Sequence, residues 1–153
     1  MIEEIKITFP SPDTVGLADA ITDAECECFG KNAWSRASVE EFIQNEYSHV
    51  VAAYKGDKLI GYAGVFVLFG EAELTNIAVL PSERRRGAAR SMLTALISLS
   101  RTLGAELLHL EVRESNAPAI SLYEAFGFQI DGRRKNYYSS PREDALLMTL
   151  TLI

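Results

Sequence analysis

Apolar and polar residues alternate at Ile5, Ile7 and Phe9 against Glu4, Lys6 and Thr8, which predicts a half-buried strand from Ile2 to Phe9, closed by Pro10. The period then lengthens. Leu17, Ala18, Ile21, Ala24 and Cys28 share one face of a helix that opens at Pro12-Asp13 and ends at Gly30. A loop with one large aromatic, Asn32-Ala33-Trp34-Ser35, leads to Ser38-Val39-Glu40-Glu41, a capping-box pattern that predicts a short helix to about Tyr47. Val50–Tyr54 and Leu59–Leu68 read as a hairpin joined through Lys55-Gly56-Asp57-Lys58, and Phe69-Gly70-Glu71 as the next tight turn. In the strand that follows, Leu74 and Ile77 are spaced by three, which breaks the alternation. One extra residue near Thr75-Asn76 restores it, as a bulge whose unpaired backbone groups can bond a ligand laid along the edge.

Ala89, Met92, Leu93, Leu96, Ile97 and Leu103 mark an amphipathic helix from Gly87 to Leu103, stopped by Gly104. Leu108, Leu110 and Val112 alternate with His109 and Glu111 as a strand. Asn116 and Pro118 open a helix carrying Ile120, Tyr123 and Phe126, and Gly127 closes it. Phe128–Tyr138 and Ala145–Leu150 finish the chain as a strand pair around Ser139-Ser140-Pro141.

The 153 residues, 48% of them hydrophobic, suit one domain spanning 1–153 around one core. The longest apolar run, Leu59–Phe69, contains Gly61 and Gly64 and falls well short of the ~20 residues a membrane-spanning helix needs. Met1-Ile2-Glu3-Glu4-Ile5-Lys6 has no export pattern, so a cytoplasmic protein is expected, with no membrane contact. Cys26 and Cys28 do not face each other on a helix, and no neighbour completes a metal set; Cys28 reads as packing, and no metal is expected. A net charge of −6 argues against a wholly basic nucleic-acid surface and suits a cationic substrate.

The chemistry concentrates between Asn76 and Tyr138. Gly87 stands where the chain turns into a helix, so amides near Arg85 to Arg90 point outward without intrahelical partners, an anion site. The helix end contributes only about 0.3–1 kcal/mol, so Arg84, Arg85, Arg86 and Arg90 must add charge-assisted bonds. The alternative is a solvated basic turn or a nucleic-acid patch. Glu111 points opposite to Leu110 and Val112, where a carboxylate can take a proton from an attacking amine, or serve as an ordinary strand-end acid. Tyr123 can protonate a departing thiolate, or simply pack in a core. His109 shares the face of Glu111 and reads as packed and hydrogen-bonded; Trp34 reads as a plug or a binding residue. Tyr137 and Tyr138 should alternate faces, one packing and one meeting substrate.

Arg84-x-x-Gly87-x-Ala89 at a strand-to-helix turn resembles motif A of the GNAT superfamily of acetyl-coenzyme A dependent N-acetyltransferases. Asn76-Ile77-Ala78-Val79, Leu110-Glu111-Val112-Arg113, Ser115-Asn116-Ala117, Leu122-Tyr123-Glu124, Asn136-Tyr137-Tyr138 and Arg142-Glu143-Asp144-Ala145 further resemble the ribosomal-protein-alanine N-acetyltransferase family, RimI type. The resemblance implies a mixed α/β fold, a sheet of about seven strands with helices on both faces and splayed fourth and fifth strands that admit the cofactor. It implies acetyl-CoA as cosubstrate, held by Ile77, Ala78 and Val79 along the pantetheine arm, by Arg84, Arg85, Arg86, Gly87, Ala88, Ala89 and Arg90 at the pyrophosphate, and by Asn116. Glu111 carries over as general base and Tyr123 as general acid, with Trp34, Tyr137 and Tyr138 toward the acceptor. The implied acceptor is the amino-terminal alanine of small-subunit ribosomal protein eighteen, with no direct nucleic-acid contact. This chain departs from the pattern at Ala89, where a second glycine is common, and matches loosely over residues 1–40 apart from Ala33-Trp34-Ser35. A lysine side chain, a polyamine, an aminoglycoside or another protein N-terminus as acceptor, and a CoA-binding module without catalysis, are the competing readings. Nothing in the sequence specifies an oligomeric state.

Overall fold

The computed structural model describes residues 4–153. Strand β1 (Ile5–Thr8) keeps the predicted alternation, and its expected start at Ile2 lies outside the described residues. Helix α1 (Leu17–Phe29) begins at Leu17 rather than at Pro12-Asp13. The Ser11 hydroxyl accepts from Asp13 N (3.2 Å) and the Ser11 carbonyl from Thr14 N (3.0 Å), a local turn that competes with helix until Gly16, at φ 78°, redirects the chain. After a short 3₁₀ turn, Gly30–Asn32, helix α2 (Arg36–Gln44) is capped by Ser35, whose hydroxyl accepts from Ser38 N at 3.1 Å. Ser38 is therefore the third helical residue and not the cap, and the helix stops at Gln44, short of Tyr47.

Strands β2 (Ser48–Lys55) and β3 (Lys58–Leu68) form the expected hairpin, with Gly56 at φ 61°. Strand β4 (Glu71–Val79) pairs with β3 so that Gly64 faces Asn76 and Val65 faces Leu74, leaving Thr75 as the bulged residue. Helix α3 (Ala88–Thr102), β5 (Leu107–Arg113), α4 (Ala117–Ala125), β6 (Gln129–Tyr138) and β7 (Glu143–Thr151) complete the chain. No helix of the described residues is long and apolar enough to cross a membrane.

The seven strands form one mixed sheet in the order β1-β2-β3-β4-β5-β7-β6. All neighbours are antiparallel except β4 and β5, which pair in parallel only from Glu71 with Leu107 to Glu73 with His109. Beyond that point the two strands part. One sheet face packs Leu108, Leu110, Val112 and Val79 against Met92, Leu93 and Leu96 of α3 and Tyr123 of α4. The other packs Tyr62, Ala78 and Val50 against Leu17, Ile21 and Ala24 of α1 and Val39 and Ile43 of α2. Helices α1 and α2 lie over β2, β3 and β4; on the same face of β5, residues His109, Glu111 and Arg113 are only half-buried.

Candidate active site

The parting of β4 and β5 leaves the edge of β4 from Leu74 onward without a strand partner on that side, and the Thr75 bulge lies within it. Ile77 is half-buried there, while Ala78 and Val79 are buried. The Val79 carbonyl accepts from Arg84 Nε (2.9 Å) and from the Cys28 thiol (3.3 Å). Burial pushes the Cys28 thiol above its ordinary value, in keeping with a packed donor.

Below β4 the chain turns through Pro81–Glu83 and enters α3. Arg85 (φ 65°) and Gly87 (φ 85°) are both left-handed, a conformation natural for glycine and unusual for arginine. No side chain caps α3, and its first internal bond runs from Ser91 N to Gly87 O, so the amides of Ala88, Ala89 and Arg90 have no helical acceptor. The arginines divide their work. Arg84 braces Val79, Arg86 lies 3.6 Å from buried Glu83, which Lys55 also approaches at 3.4 Å, and Arg90 stands over the Phe126 ring at 5.5 Å, linking α3 to α4. Ala88 is buried and Ala89 packs against the core. The exposed amides with Arg85 can hold a diphosphate. Across the cleft, Asn116 caps α4 by accepting from Ala119 N at 3.3 Å, which leaves its side-chain NH₂ for another partner.

Glu111 and Tyr123 lie on opposite faces of the sheet. Leu110 and Val112 belong to the α3/α4 core, so Glu111 projects to the α1/α2 side. Its side chain is 21% exposed, and Arg134 Nε lies 3.4 Å from its carboxylate. Tyr123 is buried in the α3/α4 core, its ring 5.6 Å from Phe128, and burial raises its phenol well above the ordinary tyrosine value, with Tyr138 adding a smaller push.

Tyr137 and Tyr138 do not take opposite roles by alternation. Asn136 at φ 54°, its amide donating to Asp144 Oδ1 (2.8 Å), breaks the strand register, and the two rings meet edge to face at 5.0 Å. The Tyr137 phenol is raised first by its bond to Glu111 and then by burial; Tyr138 is pushed up to about 12, by burial first and then by Glu111. Arg113 stacks on Tyr138 at 4.5 Å and donates to the Ser139 and Pro141 carbonyls at 3.0 Å each, pinning the β6–β7 turn. His109 is satisfied at both ring nitrogens, by Thr149 Oγ1 and Glu71 Oε1 at 2.9 Å each, in line with the packed reading. Among the described residues no three His, Cys, Asp or Glu side chains converge as a metal site.

On the α1/α2 side, half-buried Trp34 packs edge-on against Phe42 at 5.6 Å, and Asn32 Nδ2 donates to the Ser140 carbonyl at 3.0 Å, so the α1–α2 loop reaches the β6–β7 turn. The sequence reading missed Glu25 beneath this loop. It is fully buried, and its carboxylate accepts from Trp34 N (2.8 Å), Tyr62 OH (2.5 Å) and Asn76 Nδ2 (2.6 Å). A signal was present: Glu25 follows Ile21 by one helical turn and lies on the apolar stripe of α1. The partner of Arg134 was missed too, since a cation within the run Arg133-Arg134-Lys135 does not announce which acid it meets.

Known proteins bear on this geometry. An N-alpha-acetyltransferase RimI of Mycobacterium tuberculosis is 35% identical over 147 residues, 90% of this chain and 91% of that one. The [ribosomal protein bS18]-alanine N-acetyltransferase of Escherichia coli is 44% identical over 121 residues, covering 78% and 81%. A crystal structure of the Escherichia coli ribosomal-protein-alanine N-acetyltransferase superposes with a TM-score of 0.88 at 33% identity, over 97% of this chain and 94% of that one. The sequence model of the acetyltransferase (GNAT) family matches residues 18–128, which contain the parted strands, the arginine-glycine turn and both Glu111 and Tyr123. The chain is thus a member of the GNAT acetyltransferase family.

Proposed function

We propose that this protein transfers the acetyl group of acetyl-CoA to the N-terminal α-amino group of a protein, the amino-terminal alanine of ribosomal protein bS18 being the acceptor its relatives support. A cytoplasmic location belongs to this reading. The observation that carries it is the parting of β4 and β5 above the uncapped start of α3, and the pair Glu111 and Tyr123 on opposite faces of that sheet supports the chemistry.

The uncapped start of α3, left-handed Arg85 and Gly87, and the unpaired edge of β4 suit a diphosphate joined to an extended amide-containing arm. The bound thioester supplies the acetyl carbon. On the Glu111 face the amine loses a proton to the carboxylate, directly or through water, and forms the new C–N bond as the C–S bond breaks. On the opposite face the Tyr123 phenol hands its proton to the leaving thiolate. Aligning the two reactants can supply about 7–11 kcal/mol, against roughly 10²–10⁴-fold for one acid or base. An α-amine of pKa about 7.7–8.0 needs only a modest base.

Mass spectrometry after incubation with acetyl-CoA and a basic peptide starting with alanine should show one acetyl group on the α-amine. Peptides with a blocked N-terminus, a polyamine and an aminoglycoside should stay unmodified. Preferential acetylation of any of these would reassign the acceptor, and thermal stabilisation by CoA without transfer to any amine would leave a binding module.

A further inference from the structure

We propose that Glu25 is a positioning residue of the acceptor side: its buried carboxylate ties the loop carrying Trp34 to the bulged edge of β4 at Asn76, and so sets the gap through which the acceptor amine reaches the cleft. The inference rests on the functional reading above, which places the acceptor on the Glu111 face.

Glu25 has no solvent contact, and among the described residues no cation forms an ion pair with it. A buried, unpaired carboxylate is a costly choice beside an apolar residue of similar volume, so its retention calls for a specific arrangement of donors. That arrangement is complete. Oε1 takes the Trp34 backbone N–H at 2.8 Å; Oε2 takes Tyr62 OH at 2.5 Å and Asn76 Nδ2 at 2.6 Å; and Asn76 Nδ2 also reaches Tyr62 OH at 3.0 Å. One side chain of α1 thus joins the α1–α2 loop, the middle of β3 and the residue next to the Thr75 bulge.

These attachments flank the cleft. Asn76 and Ala78 share a face, and Ala78 lies under α1, so Asn76 projects toward α1 while Ile77 follows it along the unpaired edge. Trp34 carries the loop over Phe42, whose ring, like the Thr75 hydroxyl, crowds Gly64. From the far end of the loop Asn32 touches Ser140 beside Tyr137 and Tyr138. The loop and the β6–β7 turn thus meet on the sheet face to which Glu111 projects. Freeing the loop from Glu25 loosens the acceptor side of the cleft without touching the arginine-glycine turn.

Steady-state kinetics with acetyl-CoA and the Ala-start peptide test this on Glu25→Ala, Glu25→Gln, Trp34→Ala and the double variant Glu25→Ala/Trp34→Ala. Glu25→Ala should raise the peptide KM about tenfold or more, the loss expected of an interaction with a charged group, and leave the acetyl-CoA KM within about twofold. Emission from Trp34, the chain's one tryptophan, should shift to the red and become open to iodide. Glu25→Gln keeps an acceptor for Trp34 N–H and should recover most of the peptide KM; the double variant should be no worse than Trp34→Ala. A peptide KM within about twofold of wild type in Glu25→Ala, or an equal rise in both KM values that Glu25→Gln does not repair, would overturn the proposal. Should Glu25→Ala fail to fold by circular dichroism, Glu25→Asp, too short to span both ends, is held to the same criteria. Absence of turnover in the wild type would sink the functional reading alone, and Trp34 emission in the variants would still decide the tether.

Discussion

Glu111 and Tyr123 differ in surroundings as much as in chemistry. The carboxylate lies on the half-open face within reach of Arg134, while the phenol is sealed in the α3/α4 core. On the proposed mechanism, replacing either removes one proton transfer and leaves the arginine-glycine turn intact. Glu111→Gln and Tyr123→Phe should therefore each lower kcat by about 10²–10⁴-fold. Dissociation constants for CoA by calorimetry should stay within about twofold. Because burial raises the Tyr123 phenol above the ordinary value of about 10, the acid stays protonated across the working range. The rate should thus show no alkaline fall on its account below about pH 10; a fall centred near pH 8.5 that disappears in Tyr123→Phe would show that the folded protein does not hold the phenol up, and an unchanged rate in Tyr123→Phe would refute the role. Stability follows the same shift. Tyr62 and Tyr123 hold their protons more tightly folded than unfolded, so their contribution is complete below about pH 10 and fades as pH climbs toward the folded values. Urea midpoints should drop between pH 9.5 and 11, less steeply in Tyr123→Phe, by up to about 1.4 kcal/mol per pH unit for one phenol.

At the scale of elements, strand β4 was the most legible part of the site. Its three-residue spacing can be satisfied on a pleated strand only by an extra residue, and Thr75 is that residue. The start of α3 was legible for a similar local reason, since Gly87 sits where only a left-handed residue fits. The α2 cap was misplaced because Ser35 and Ser38 are both serines at capping spacing, and the choice between them depends on where Trp34 is anchored. Glu25 stayed hidden because its partners Tyr62 and Asn76 lie 37 and 51 residues away, and nothing local marks an acid on an apolar stripe as partnered. Long-range register decides such residues, and local periodicity does not carry it. The same register gives Gly64 its function. A Cβ there would stand 2.7 Å from Thr75 Oγ1 and 2.8 Å from Phe42 Cζ, beneath the bulge. Gly64→Ala must push Phe42 or Thr75 aside and should cost about 1–3 kcal/mol in urea unfolding. It should also raise the peptide KM more than the acetyl-CoA KM, because Phe42 supports Trp34.

Across the whole molecule, charge is unevenly useful. The chain carries −6 overall, and exposed Glu71, Glu73 and Asp131 lie on strands β4 and β6 around the half-open surface of Glu111. A polyanion such as CoA is repelled by that net charge at long range and, on the proposed binding mode, captured at short range by Arg85 and the free amides of α3. A basic peptide is attracted by that net charge at long range. Salt acts on the long-range part, because the screening length shrinks from about 10 Å at 0.1 M to about 3 Å at 1 M. Between about 0.05 and 0.5 M NaCl, kcat/KM for a basic Ala-start peptide should fall several-fold, whereas acetyl-CoA, with repulsion and capture screened together, should change less. An Ala-start peptide with its basic residues replaced by serine isolates the effect. Its kcat/KM should be lower at low salt and nearly flat with salt. Equal salt slopes for the two peptides would show that the acidic surface does not steer the acceptor, and would leave its selection to the Trp34 loop and the β6–β7 turn.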